Sequence, residues 1–117
     1  MTAQEGRMGA LVYGTNPPIP IDDRALLHLQ LVVYAKLRAH ESFAFNWRDE
    51  PGVGDGHGSL WISPGVPIVF KFSGSRDPSV NRDWLRVLRD AANQPAGLRM
   101  VPEPDAEPPA GPGPAYR

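Results

Sequence analysis

Cysteine is absent from the 117 residues, which excludes disulfides, thiolate nucleophiles and cysteine-ligated zinc. Apolar runs are short, nowhere approaching the eighteen or so residues a membrane-spanning helix needs. The opening stretch MTAQEGRMGALVYG also lacks the sustained apolar segment of a secretion signal. A cytoplasmic protein with no membrane partner is the expectation. Lysine is scarce: only Lys36 and Lys71 stand beside ten arginines, a bias that suits GC-rich coding sequence. A basic excess is missing too. The net charge is −1, whereas duplex DNA binding calls for a strongly basic face. No internal repeat is visible.

What is present is enough for one packed domain. Apolar residues make up 41% and charged residues 21% of the chain, near ordinary globular values. Residues 1–7 are polar and patternless and are expected to be a disordered extension. Residues 102–117 hold six prolines and three acids, a composition that buries too little to order itself; a disordered tail is expected there, with the domain at 8–101.

Within the domain, Leu11 and Tyr13 alternate with Val12 in a first strand. Ile19-Pro20-Ile21 is at best an edge segment, because proline cannot donate to a ladder. Asp22 or Asp23 caps a long helix that ends near His40. One apolar stripe on it is Leu26, Leu29, Val33 and Leu37; Leu27, Leu31 and Tyr34 form a second, so the helix should be covered on more than one side. Phe43, Phe45 and Trp47 share one face of a strand, and Leu60 and Ile62 point inward from the next while Trp61 points outward. Ile68, Phe70 and Phe72 form a third strand, and the short loops suggest an antiparallel meander. Asp77-Pro78 reads as the N-cap and first residue of a second helix, with Val80, Trp84, Val87, Leu88 and Ala91 as its apolar stripe. Leu98 to Val101 offers an optional last strand. The expected fold is α+β, in β-α-β-β-β-α order: an antiparallel sheet of four to five strands with two helices packed on one face. Its opposite face would show Asn46, Trp61, Val69 and Lys71, a candidate contact surface carried by Asn46 and Trp61.

Chemistry-bearing patterns are few. The glycine-rich DEPGVGDGHG at 49–58 lies between two strands and lacks the lysine and following helix of a phosphate loop. Its acids and His57 match no EF-hand or zinc spacing. His28 and His40 sit three turns apart on the first helix, too far to share a metal, and read as packing or surface residues. Arg82, Arg86 and Arg89 line one side of the second helix, with Arg76 near its start. They are candidate contacts for phosphate or an acidic partner, although Asp83–Arg86 and Arg86–Asp90 also form ordinary helix-surface pairs. No catalytic residue, metal site or cofactor is assigned.

Lys71-Phe72-Ser73-Gly74-Ser75-Arg76 resembles the K-x-D-G-x-R motif of ATP-dependent DNA ligases and mRNA capping enzymes, in which the lysine attacks a nucleotide α-phosphate. Here Ser73 replaces the aspartate. Two lysines also leave no second K-x-K pair to surround a nucleotide, and the chain is far shorter than such a catalytic domain. A broader likeness runs through Met8-Gly9-Ala10-Leu11-Val12-Tyr13-Gly14, Asp23-Arg24, Leu27-His28-Leu29, Lys36-Leu37-Arg38 and Glu41-Ser42-Phe43. It continues in Trp47, Leu60-Trp61, Phe70-Lys71-Phe72, Gly74-Ser75-Arg76 and Asn81-Arg82 with Trp84. Over residues 8 to about 102 the sequence is similar to a family of small, mostly actinobacterial proteins of unknown function, often labelled automatically as ATP-dependent DNA ligase. The resemblance implies no established activity. The expected function is a non-catalytic interaction module binding a protein partner or itself. The alternative is a nucleotide- or nucleic-acid-associated protein that contacts ATP or nucleic acid through Lys71, Arg76 and the helix arginines.

Overall fold

Residues 7–49, 56–75 and 78–105 are described by a computed structural model of the chain. In chain order they form β1 (Met8–Tyr13), β2 (Ile19–Asp22), α1 (Asp23–Arg38), β3 (Phe43–Arg48), β4 (His57–Ile62), β5 (Ile68–Lys71), α2 (Arg82–Ala92) and β6 (Leu98–Arg99). The α+β class and the two helices follow the sequence pattern. The strands, however, divide into two three-stranded sheets, β2-β1-β5 and β4-β3-β6. The expected meander ends after β4: β5 leaves that hairpin and pairs antiparallel with β1, Leu11 opposite Phe70 and Tyr13 opposite Ile68. The sheets are tied where β1 meets the end of β4, since the Tyr13 hydroxyl accepts the Ser63 N–H at 2.9 Å.

The proline-bearing segment forms the edge strand β2, antiparallel to β1. The last segment forms β6, which runs parallel to its neighbour β3, with Leu98 beside Phe45 and Arg99 beside Asn46. Period-two alternation turns Leu11, Tyr13, Ile19 and Ile21 of the first sheet, and Phe43, Phe45, Ile62 and Leu98 of the second, into one core with α1 and α2. Helix α1 contacts β1, β2 and α2, which accounts for its broad apolar girth; Leu31 and Tyr34 stay partly exposed. Gly9 lets α1 come close to β1, because a Cβ there would lie 2.8 Å from both Asp23 Oδ1 and a Leu26 methyl.

Helix α2 starts later than Asp77-Pro78 suggests. Asp77 lies outside the described residues, and the N-cap is Asn81, whose side chain accepts from the Asp83 and Trp84 amides. Val80 therefore precedes the helix and is exposed, as is Val87, while Trp84, Leu88 and Ala92 are buried. Trp84 links the two helices. Its ring packs on His28 at 4.6 Å between centroids, and its indole N–H donates to the Val101 carbonyl at 3.1 Å.

The contacts also run past the expected edges of the domain. The Arg7 carbonyl accepts the Asp23 N–H at 3.0 Å. At the other end Glu103 and Pro104 bond to the side chains of Arg24 and Asn81.

Trp84→Ala removes a side chain shared by α1, α2 and the C-terminal segment. It should destabilise the fold by about 3–5 kcal/mol, the usual cost of deleting a buried aromatic. Chemical denaturation measures this; a loss below about 1 kcal/mol would mean that the site collapses around the gap.

Candidate functional site

The turn with the ligase-like residues has a structural occupant. The Ser73 amide and hydroxyl donate to Asp23 at 3.0 and 3.1 Å, and the Gly74 amide donates at 2.8 Å. Consecutive amides converging on one anion form the kind of nest that can hold phosphate; here the anion is a carboxylate of the same chain, 50 residues away. Asp23 is 5% exposed. Burial pushes its pKa up, but the bonds from Ser73 and Gly74, with the nearby Arg7 guanidinium, outweigh it and leave the carboxyl below its ordinary value. Lys71 lies outside this arrangement, exposed at the end of β5 on the outer face of the first sheet with Val69. Arg76 lies outside the described residues. Arg82, Arg86 and Arg89 are exposed on α2, and Arg86 pairs with Asp83 at 3.0 Å as the helix spacing suggests.

A second polar knot joins the helices. His28 is fully buried. Its Nε2 accepts the Asn81 N–H at 2.8 Å and its Nδ1 faces the Arg24 carbonyl at 2.7 Å. An amide N–H can only donate, so Nε2 presents its lone pair and the proton sits on Nδ1: the ring is neutral. Burial lowers its pKa below the ordinary value of 6.5. Asn81 then donates to Glu103 and to the Pro104 carbonyl at 2.8 and 3.0 Å. Glu103 takes a two-pronged grip from Arg24, at 2.7 and 2.6 Å. The hydrogen bonds from Arg24, chiefly, pull the Glu103 pKa down to about 2. The sequence leaves His28 as a packing or surface residue, and the fold buries it. Asn81 and Arg24 stand out in the sequence only within the family resemblance, and Glu103 only in the composition of the tail, because their partners are distant in sequence.

The open chemistry lies on the second sheet. Pairing places Ala44 opposite Trp61, Asn46 opposite Ser59 and Arg48 opposite His57, with Arg99 beside Asn46. Paired residues share a face, and this face is turned away from Phe43, Phe45, Ile62 and Leu98 in the core. Arg48, His57, Ser59, Trp61 and Arg99 are all exposed, Trp61 by 65%. The two predicted contact residues, Asn46 and Trp61, are thus brought together, whereas Val69 and Lys71 belong to the other sheet. Ser59 Oγ and Asn46 Oδ1 lie 2.5 Å apart, and the Asn46 amide donates to the Ala96 carbonyl at 2.9 Å. Neither Arg48 nor Arg99 forms an ion pair among the described residues.

Next to this face a cleft of about 340 Å³ opens between the second sheet and the β2–α1 junction, lined by Ile21, Ala25, Trp47, Arg48, Arg99 and Met100 among others. Gly58 keeps its wall flat, since a Cβ there would run into the Trp47 ring. Among the described residues no group of three or more His, Asp or Glu side chains is placed to hold a metal ion, and no helix is long and apolar enough to cross a membrane.

Two helices braced by buried polar knots, with one sheet face left open, define a small α+β domain. The chain belongs to the family described as Domain of unknown function (DUF7882), which matches residues 8–103. The match ends on Glu103, the residue fixed to Arg24. Comparison with curated proteins and with solved structures finds no match among either.

The knots make stability pH-dependent. Unfolded His28 takes up a proton near its ordinary value of 6.5, while the native ring, with its lone pair committed to Asn81, resists protonation. Its contribution is present above that value and is lost as pH falls toward the lower native pKa. Asp23 and Glu103 act in the same direction: their contributions are present above the ordinary 3.8 and 4.5 and are lost on further acidification, for Glu103 toward about 2. Denaturation midpoints should fall in two stages, the first beginning near pH 6.5. His28→Gln should abolish the first stage and keep the second; a first stage that survives it would assign that stage elsewhere. Asp23→Ala strands the Ser73 and Gly74 donors and should cost on the order of 2–3 kcal/mol by denaturant titration.

Proposed function

We propose that this protein is a non-catalytic cytoplasmic binding module whose working surface is the outer face of the second sheet. The observation that carries the reading is Trp61, a large aromatic left 65% exposed on a regular strand. It sits on one face with Arg48 and Arg99, whose charges have no ion-pair partner among the described residues. Exposed aromatic and arginine side chains are the residue types that dominate binding hot spots. The partner is a macromolecule that lies across three strands, or a second copy of the chain.

Catalysis at Lys71 is not part of this reading. Nucleotidyl transfer relies on positioned donors and cations around the phosphoryl group, and the donors next to Lys71 are bonded to Asp23. The nucleic-acid alternative keeps a specific support, but it moves from Lys71 and α2 to Arg48 and Arg99.

Two measurements test the proposal. Trp61→Ala should change stability by less than about 0.5 kcal/mol, as expected for a surface residue without a structural task. A loss of several kcal/mol would return Trp61 to the fold and remove the argument. Incubation with labelled ATP and magnesium should leave no adenylate on the protein; a covalent label lost in Lys71→Ala would make it an enzyme.

A further inference from the structure

We infer that the outer face of the second sheet binds single-stranded nucleic acid, with a base stacked on Trp61 and the backbone phosphates led along Arg48 and Arg99. This rests on the proposal that the face is the working surface and names the partner class it fits. Three observations point the same way.

The first is charge. Among the described residues the exposed strand positions of the face are Arg48, His57, Ser59, Trp61 and Arg99; none is acidic and two are permanent cations. Asp22, the acid lining the neighbouring cleft, is already engaged, accepting the Ala25 N–H at 2.9 Å as the cap of α1.

The second is the aromatic. Every base has a π-face, so one exposed indole on a rigid strand accepts any base without reading sequence. An acidic peptide satisfies the arginines and leaves the indole unused. A duplex satisfies the arginines and keeps its bases out of reach.

The third is spacing. Trp61 and His57 are four residues apart on β4 with Arg48 opposite His57, so the level of Trp61 and that of Arg48 are separated by about 13 Å along the strands. Arg99, beside Asn46, stands between those levels on the far strand. A chain of a few nucleotides crossing the sheet obliquely meets the indole first and the two guanidinium groups after it. On the way it passes the Asn46–Ser59 pair, which keeps a second amide hydrogen and the hydroxyl oxygen's lone pairs for base edges.

The test uses the full chain labelled with 15N, titrated with an eight-nucleotide oligothymidylate. A duplex of equal length and a polyglutamate peptide serve as comparisons. The expected result is saturable shifts of the Trp61 indole N–H and of β3, β4 and β6 amides. Affinity should fall about 25-fold between about 20 and 200 mM salt, the slope for two phosphate contacts on a single strand. Trp61→Ala should weaken binding about tenfold, as expected for loss of one stacked base, with the salt slope unchanged. Arg99→Gln should instead lower the slope by about 0.7. Equal shifts with polyglutamate would overturn the nucleic-acid assignment and leave the face as a binding surface. Shifts centred on Lys71 and α2 would overturn both readings. No response at millimolar oligonucleotide overturns the assignment alone, since the stability of Trp61→Ala tests the face independently.

Discussion

The bond from the Asn81 amide to His28 Nε2 is the constraint on which the arrangement of this domain turns. It is buried, it spans 53 residues, and it has no substitute: a lost acceptor would leave the first free amide of α2 without a partner away from water. Burial of the apolar core supplies more free energy than one hydrogen bond, but apolar contact is non-directional and tolerates sliding. The His28–Asn81 bond does not. It fixes the height of α2 against α1, sets Asn81 as the cap, and presents the Asn81 side chain to Glu103. Once α2 is fixed, the chain leaving it must return beside β3, so β6 and Arg99 take their places in the second sheet. The open face thus depends on a buried histidine of α1.

The Asp23 knot shows why a local motif misleads. Lysine, serine, glycine and arginine in close order are what a phosphate site needs, and six residues of sequence cannot reveal that the amides are already in use. The partner is a carboxylate at the start of α1, admitted by Gly9. An anion nest filled from within is a structural clamp: it holds the end of β5 to the start of α1 and thereby keeps β5 on β1 rather than on β4.

That clamp also marks the limit of what was legible in the sequence. Strand faces were readable wherever alternation is regular, as in Phe43-Phe45-Trp47 and Leu60-Trp61-Ile62, because side-chain direction depends only on the strand itself. Pairing was not: short loops after β4 made the meander the economical reading, and the competing partner β1 lies more than fifty residues upstream. The start of α2 departs from the local pattern for a similar reason. Asp77-Pro78 satisfies the local rules for a helix start, but Asn81 satisfies them too, and the bond to His28 decides between them. Of the candidate site, Trp61 and Asn46 were visible as outward positions. Arg48 and Arg99 were not, since their shared face exists only once β6 has docked parallel to β3.

Overall charge hides that face for a physical reason. A chain with net charge −1 is a poor prospect for binding phosphates if its charges are mixed evenly over the surface. Here many acids are spent on structure: Asp22 caps α1, Asp23 fills the nest at Ser73 and Gly74, Glu41 holds Lys36, Asp83 holds Arg86 and Glu103 holds Arg24. A carboxylate paired at short range with a guanidinium or ammonium group projects little net field beyond the pair, while Asp22 and Asp23 keep their charge but sit at the start of α1 rather than on the open face. Arg48 and Arg99, on a face with no acidic side chain among the described residues, are left with theirs. Attraction at contact distance follows charges within about a Debye length, roughly 8–10 Å, so what a partner meets at the second sheet is two guanidinium groups and an indole rather than the sum over the chain.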